Sequence, residues 1–320
     1  MLITDETYKI HRVIIYSIFA VVQTLGIFGN VNLIALTIRK KTLRSKYGML
    51  LMILAVFHTI CLVYEFVCMA YGIRLTFFDY KLFRRLCFYT LFPYIFVHCL
   101  QTGAVCALAL DLLLNITFPI QYRTINTSSY FAFLLFPSII YGIWAVIAGF
   151  VYSDNNEAIQ MCNPPSSLHP VINAKWYLIM LIFSLATVIF YTLAFTLLYA
   201  KVRNDRNAYR LIEKKAMKTL QVLIFVFLIT RLISISFFNI LTFLGIDKDW
   251  IVLWQNYVGI ATVIAYYQNG YVCYFRSSEY RNLFRSQLKI VFPKCTKRLD
   301  WPEQSVTIIN YNVKSAMTIQ

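Results

Sequence analysis

Residues 87–119 read CFYTLFPYIFVHCLQTGAVCALALDLLLNITFP. The stretch opens on Cys87 and runs through about twenty-five mostly apolar residues, enough for a membrane-spanning helix, which needs about 20. It meets a single carboxylate, Asp111, near its end, with Pro93 close to the start and Pro119 just past the finish. A charge facing lipid costs on the order of 2.5–3.5 kcal/mol on insertion scales, so Asp111 is expected to face protein or water.

The rest of the chain repeats this pattern. Its 320 residues are 59% hydrophobic and only 14% charged, with a mean hydropathy of +0.63. A soluble domain carries roughly 25% charged residues. Seven stretches are long and apolar enough to span a bilayer: Val13–Ile38, Tyr47–Ile73, Leu86–Thr117, Tyr130–Tyr152, Trp176–Ala200, Ala216–Leu244 and Ile251–Phe275. Buried core helices of a large soluble protein would not come as seven such runs with basic connectors between them. The expectation is an all-α membrane protein, a seven-helix bundle.

The net charge of +16 raises a nucleic-acid reading, which its distribution argues against. Lys and Arg concentrate in three places: 39–46, 201–218, and the tail after the seventh span. Those connectors share one side of the membrane, which the positive-inside rule makes cytoplasmic, with the N-terminus outside. Arg74, Lys81, Arg84 and Arg85 dissent on the outer side, with only Asp79 in that connector to offset them. No signal peptide is evident; the polar residues 1–12 are expected outside, and the first span is expected to serve as the insertion signal. The sequons at Asn115 and Asn126 fall at or beyond the inner end of the third span, so neither is expected to be glycosylated.

Polar residues inside the spans are the candidate control points. Asn30, beside Gly29, reads as interhelical glue, with a transport-path ligand as the alternative, because a mid-span amide needs a partner and a glycine permits close approach. His58 and Glu65 lie two turns apart on one helical face. His58 reads as a hydrogen-bonded interior side chain. Glu65, nearer the outer end, is open to a ligand-cavity or an ion-pair role. Tyr94, His98 and Gln101 share a face of the third span. Arg231 is a guanidinium within the sixth span that needs an anion, which Glu65 or an anionic ligand would supply.

Of eight cysteines, Cys61, Cys68, Cys99, Cys106 and Cys273 fall within spans, where packing is the default. Cys87 and Cys162 face the oxidising side and are expected to form a disulfide. Cys295, in the basic tail, is a candidate for palmitoylation, with an unmodified thiol as the alternative. No metal-ligand spacing, phosphate loop or nucleophile–base pair occurs, so neither an enzyme nor a cofactor is expected. After the seventh span, Tyr280, Phe284, Leu288 and Val291 form an apolar stripe flanked by Arg281, Arg285 and Lys289. That pattern predicts an amphipathic membrane-surface helix over 276–292, capped by Ser277 or Ser278, before a flexible tail over 293–320.

In order and spacing these landmarks resemble the rhodopsin-like G-protein-coupled receptors, and within them the nematode serpentine chemoreceptors of the SX class. The resemblance covers Gly26 to Phe292. Gly29-Asn30 matches a helix-one motif, and Leu54-Ala55-Val56-Phe57-His58 matches LAxxD with histidine for the aspartate. Cys87 and Cys162 match the family's extracellular disulfide, and Asp111-Leu112-Leu113 stands where the family has Asp-Arg-Tyr. Pro119 and Tyr122 resemble the second inner loop; Tyr199 the inner tyrosine of helix five; Glu213–Leu220 the inner end of helix six. Gln268-Asn269 through Tyr274 replaces NPxxY.

The resemblance implies a plasma-membrane chemosensory receptor, with a sensory cilium as a candidate location. It would bind a small external molecule and a cytoplasmic heterotrimeric G protein. The implied ligand-facing residues are Glu65, Tyr94, His98, Arg231 and Gln268. The implied G-protein-facing switch is Asp111, Leu112, Pro119, Tyr122, Tyr199, Glu213 and Tyr274, and Asn30, His58 and Asn269 are structural polar residues. Two departures have consequences. Leu112 lacks the family's arginine, so a lock to Glu213 is not expected; His58 replaces the sodium-binding aspartate, so weak sodium dependence is expected. A receptor-like protein that couples weakly or partners another receptor remains the alternative, and a transporter a more remote one.

Overall fold

The computed structural model describes residues 5–78, 80–153, 157–204, 229, 248–276 and 278–291. Helix α1 spans Asp5–Arg39, α2 Lys46–Phe77 and α3 Arg84–Thr117, with a short 3-10 turn at Lys41–Leu43. Next come α4 (Pro119–Thr124), α5 (Thr127–Val151), α6 (Pro164–Ser167) and α7 (Pro170–Asn204). The last two described helices are α8 (Lys248–Arg276) and α9 (Ser278–Val291).

Five of these helices, α1, α2, α3, α5 and α7, are long and apolar enough to cross a membrane. With α8 they occupy six of the seven expected spans. The remaining span, Ala216–Leu244, lies outside the described residues apart from Ile229.

Local sequence sets the helix boundaries. Ser45 caps α2, its hydroxyl accepting from Gly48 N at 3.1 Å, and Asn126 caps α5 by accepting from Ser128 N at 2.9 Å. The second sequon asparagine is thus a helix cap. Pro119 opens α4, where its missing N–H costs nothing. The first helix begins at Asp5, before the apolar span that starts at Val13, and holds Arg12 within it. Arg12 is buried, donates to the Tyr16 hydroxyl at 2.7 Å and to the Tyr8 hydroxyl, and lies 4.9 Å from the Tyr8 ring centroid.

Helix α3 is the centre of the bundle. Of its most apolar window 72% is buried, against 28% for α5 and 17% for α7. Small residues let the neighbouring backbones approach, as membrane helices require when no hydrophobic force drives them together. On α5, a Cβ added at Gly142 would come within 2.7 Å of Phe96 on α3. Helices α1 and α8 meet through paired glycines, where a Cβ at Gly270 would lie 2.5 Å from the Gly29 carbonyl oxygen. Beside that contact Asn30 Nδ2 donates to the Tyr266 carbonyl at 2.9 Å.

One end of α3 is pinned by covalent and ionic bonds. Cys87 and Cys162 form a disulfide with Cα atoms 5.7 Å apart. A two-residue strand β1 (Leu82–Phe83) pairs antiparallel with β2 (Ala158–Ile159) alongside it. Arg84 is buried and ion-paired with Glu157 at 2.6 Å. One of the dissenting basic residues is thus offset from the next loop rather than its own. Helix α9 directs Phe284 of its stripe inward, where it meets Phe28 of α1 edge-on at 6.1 Å and Tyr274 of α8 at 5.4 Å.

Because the obstacle at Gly270 is backbone, Gly270→Ala is expected to destabilise the folded protein by about 1–3 kcal/mol. Gly259→Ala, whose Cβ would meet the Phe19 ring at 3.1 Å, should cost less. Thermal unfolding in lipid nanodiscs measures both.

Candidate functional site

Two clusters of polar side chains lie along α3, one towards the disulfide end and mid-bundle, the other at the opposite end. In the first, Tyr94 donates its hydroxyl to Glu65 Oε1 on α2. Tyr64 stacks on Tyr94 with ring centroids 5.8 Å apart and planes at 14°. One turn further along α3, His98 Nδ1 lies 2.9 Å from the Tyr266 hydroxyl of α8, and its ring packs on Trp176 of α7 at 5.1 Å. Trp176 is held in turn: its indole N–H donates to Cys99 Sγ at 3.3 Å, and its carbonyl accepts from Tyr141 of α5 at 2.7 Å.

His58 is the junction of α2, α3 and α8. Asn269 Nδ2 lies 2.9 Å from its Nδ1, and Gln101 Oε1 lies 3.1 Å from its Nε2. With the amides oriented this way, Asn269 donates to an unprotonated Nδ1, and Nε2–H donates to Gln101. Gln101 Nε2 then donates to Thr102 Oγ1 at 3.3 Å. The arrangement suits a neutral imidazole with both ring nitrogens engaged by side chains.

At the opposite end Asp111 is buried. Its Oδ1 accepts the Tyr130 hydroxyl of α5 at 2.8 Å and the Tyr122 hydroxyl of α4 at 3.0 Å. Burial first, then the adjacent Asp111, holds the Tyr122 phenol well above its ordinary pKa, so it stays a donor. Lys46, at the start of α2, covers the pair, with Nζ 4.6 Å from the Tyr122 ring centroid and 5.1 Å from that of Tyr130. It donates to the Tyr122 carbonyl and, at 2.9 Å, to the Ile125 carbonyl, satisfying the free C-terminal carbonyls of α4. One acid and one base thereby tie α2, α3, α4 and α5 together.

The residues singled out from the sequence fall in different places. Tyr94, His98 and Gln101 do share a face of α3, but they are buried and bonded to neighbouring helices. Gln268 and Asn269 are buried on α8. Leu112 is partly buried against the apolar cluster around Leu108 and Tyr130. Pro119 is exposed, and Tyr199 is 65% exposed. Tyr274 accepts from Arg285 Nε of α9 at 3.3 Å. Arg231, Glu213 and Cys295 lie outside the described residues. No cationic side chain among the described residues pairs with Glu65.

Sequence reasoning missed Tyr130, Tyr266 and Trp176, and it read Lys46 only as a basic connector. The available signal was physical: a buried acid near a span end needs hydroxyl or cationic partners, and Tyr122, Tyr130 and Lys46 flank the neighbouring span ends. Which of them reach it depends on helix packing.

A family model described as serpentine type 7TM GPCR chemoreceptor Srsx matches residues 23–288 of this chain. No curated protein matches it.

Removing the Tyr130 hydroxyl with Tyr130→Phe strips Asp111 of its shorter donor, and a cost of about 1–2 kcal/mol is expected. In an Asp111→Leu background the same change should be nearly neutral. A double-mutant cycle on unfolding in nanodiscs reads the difference.

Proposed function

Because the chain belongs to the serpentine type 7TM GPCR chemoreceptor family Srsx, we propose that it is a chemosensory receptor. It binds a small external molecule between the helices and passes the signal to a heterotrimeric G protein. The disulfide end of α3 faces outside in this reading, and the basic connectors face the cytoplasm in accordance with their charge. The domain division follows the same topology: residues 1–12 outside, 13–275 in the membrane, 276–292 along its inner surface and 293–320 in the cytoplasm.

The observation that carries the proposal is the pair of clusters on one central helix. A ligand that favours one arrangement of the helices around Glu65, Tyr94 and His98 alters contacts along α3 and α8. The Asp111 cluster fixes α4 and α5 to the far end of α3, beside the surface assigned to the G protein. Such a ligand acts by binding one conformation better than another. Asp111, Leu112, Pro119 and Tyr122 are assigned to this coupling surface, together with Tyr199, Glu213 and Tyr274.

Leu112 favours a second reading. An aliphatic side chain supplies no charge to a G protein and no partner to Glu213, so a receptor that couples weakly or serves another receptor has a concrete basis. Arg231, a guanidinium within a span, calls for an anion, which Glu65 or the ligand would supply.

Expression with a G-protein reporter, against a panel of volatiles and small metabolites, tests the proposal. Ligand-dependent signalling from the unmodified chain is expected. Silence from it together with a response from Leu112→Arg would place it with the weakly coupling proteins. In parallel, Arg231→Ala is expected to lose the response with normal surface delivery; lost delivery would make Arg231 structural.

A further inference from the structure

We infer that Glu65, with the stacked rings of Tyr64 and Tyr94, forms a binding subsite for the ammonium group of a small organic amine. The inference rests on the receptor reading above and adds a ligand class to it. Glu65 is a carboxylate within a membrane span, only partly buried. Its Oε1 takes the Tyr94 hydroxyl, and among the described residues no donor reaches Oε2 and no Lys, Arg or His lies within ion-pair distance. A single hydroxyl does not offset the cost of holding a carboxylate in a span, and a positive partner does. The neighbouring His98 is engaged elsewhere, with Nδ1 at the Tyr266 hydroxyl.

The surroundings suit an organic cation. The Tyr64 and Tyr94 rings are nearly parallel, 5.8 Å between centroids, and the electron-rich faces of tyrosines attract ammonium groups. Tyr94 is itself buried, and its hydroxyl fixes Oε1, which leaves Oε2 as the acceptor for an incoming N–H. The cluster packed around these residues includes buried Leu62, Leu91 and Ile15 beside Tyr16 and Tyr266. An apolar body bearing one ammonium group suits these side chains.

The test uses the full chain in lipid nanodiscs and reads ligand-induced thermal stabilisation, which requires no G protein. The probes are 2-phenylethylamine, cyclohexylamine and trimethylamine, set against 3-phenylpropionate, cyclohexanecarboxylate and acetate. At least one amine is expected to stabilise the wild-type protein, with affinity reduced roughly thirtyfold or more in Glu65→Gln, as for a buried charge pair that loses one partner. Glu65→Asp should recover part of that affinity. Tyr64→Leu, which leaves the acid in place, should weaken the amine roughly fivefold through loss of the stacked ring, and it serves if Glu65→Gln does not fold. Stabilisation by carboxylates alone would overturn the inference, leave the receptor reading intact and point the ligand to Arg231. Equal amine affinity in Glu65→Gln and wild type, or no stabilisation by any amine, would also overturn it, whatever the reporter assay shows.

Discussion

The structure depends on pairing polar side chains where no water is at hand to satisfy them. Helix α3 is the most buried of the five apolar helices α1, α2, α3, α5 and α7, and still carries Tyr94, His98, Gln101, Thr102 and Asp111. Each is satisfied by another helix or by its own backbone: Glu65 and His58 from α2, Tyr266 from α8, Tyr130 from α5, Tyr122 from α4, and the His98 carbonyl for Thr102. Leaving any one of them unpaired in an apolar setting costs more than a made bond returns. These contacts therefore select one mutual arrangement of helices out of the many that apolar packing alone would tolerate.

Helix packing and the polar network depend on each other. Gly29 and Gly270 allow α1 and α8 to approach closely, and that approach brings Asn30 to the Tyr266 carbonyl. Tyr266 in turn presents its hydroxyl to His98 and its ring to His58, with centroids 5.3 Å apart. At the disulfide end the constraint is covalent, through Cys87–Cys162, with the Arg84–Glu157 pair beside it. At the opposite end a single carboxylate, Asp111, draws three elements together. The two ends of α3 are thus fixed by different chemistry, and the polar contacts between them join it to α2 and α8.

Much of this was legible in the sequence, and the reason is local. Apolar run length, the basic connectors and the α9 stripe are properties of neighbouring residues, and six of the seven expected spans fall on described helices. The disulfide followed because only two cysteines fell outside the spans on the outer side. Pairings across helices were harder to read. Nothing in the interval between Asp111 and Tyr130, or between His98 and Tyr266, specifies contact, because rotation and depth of each helix are set by the whole bundle. Helix α1 extends beyond the apolar span Val13–Ile38, and there Tyr8 and Tyr16 bracket Arg12, a contact no local pattern specifies. Tyr94, His98 and Gln101 share one face of α3, and their side chains are engaged in hydrogen bonds to α2 and α8.

The central claim is that α3 organises the bundle through side-chain hydrogen bonds to its neighbours, with His58 as the junction. A double-mutant cycle between His58→Leu and Gln101→Leu, followed by reversible unfolding in a membrane mimetic, measures it most directly. The account predicts a coupling energy of about 0.5–1.5 kcal/mol, in the range found for interhelical hydrogen bonds in membranes. Additive effects of the two substitutions, with coupling indistinguishable from zero, would contradict it.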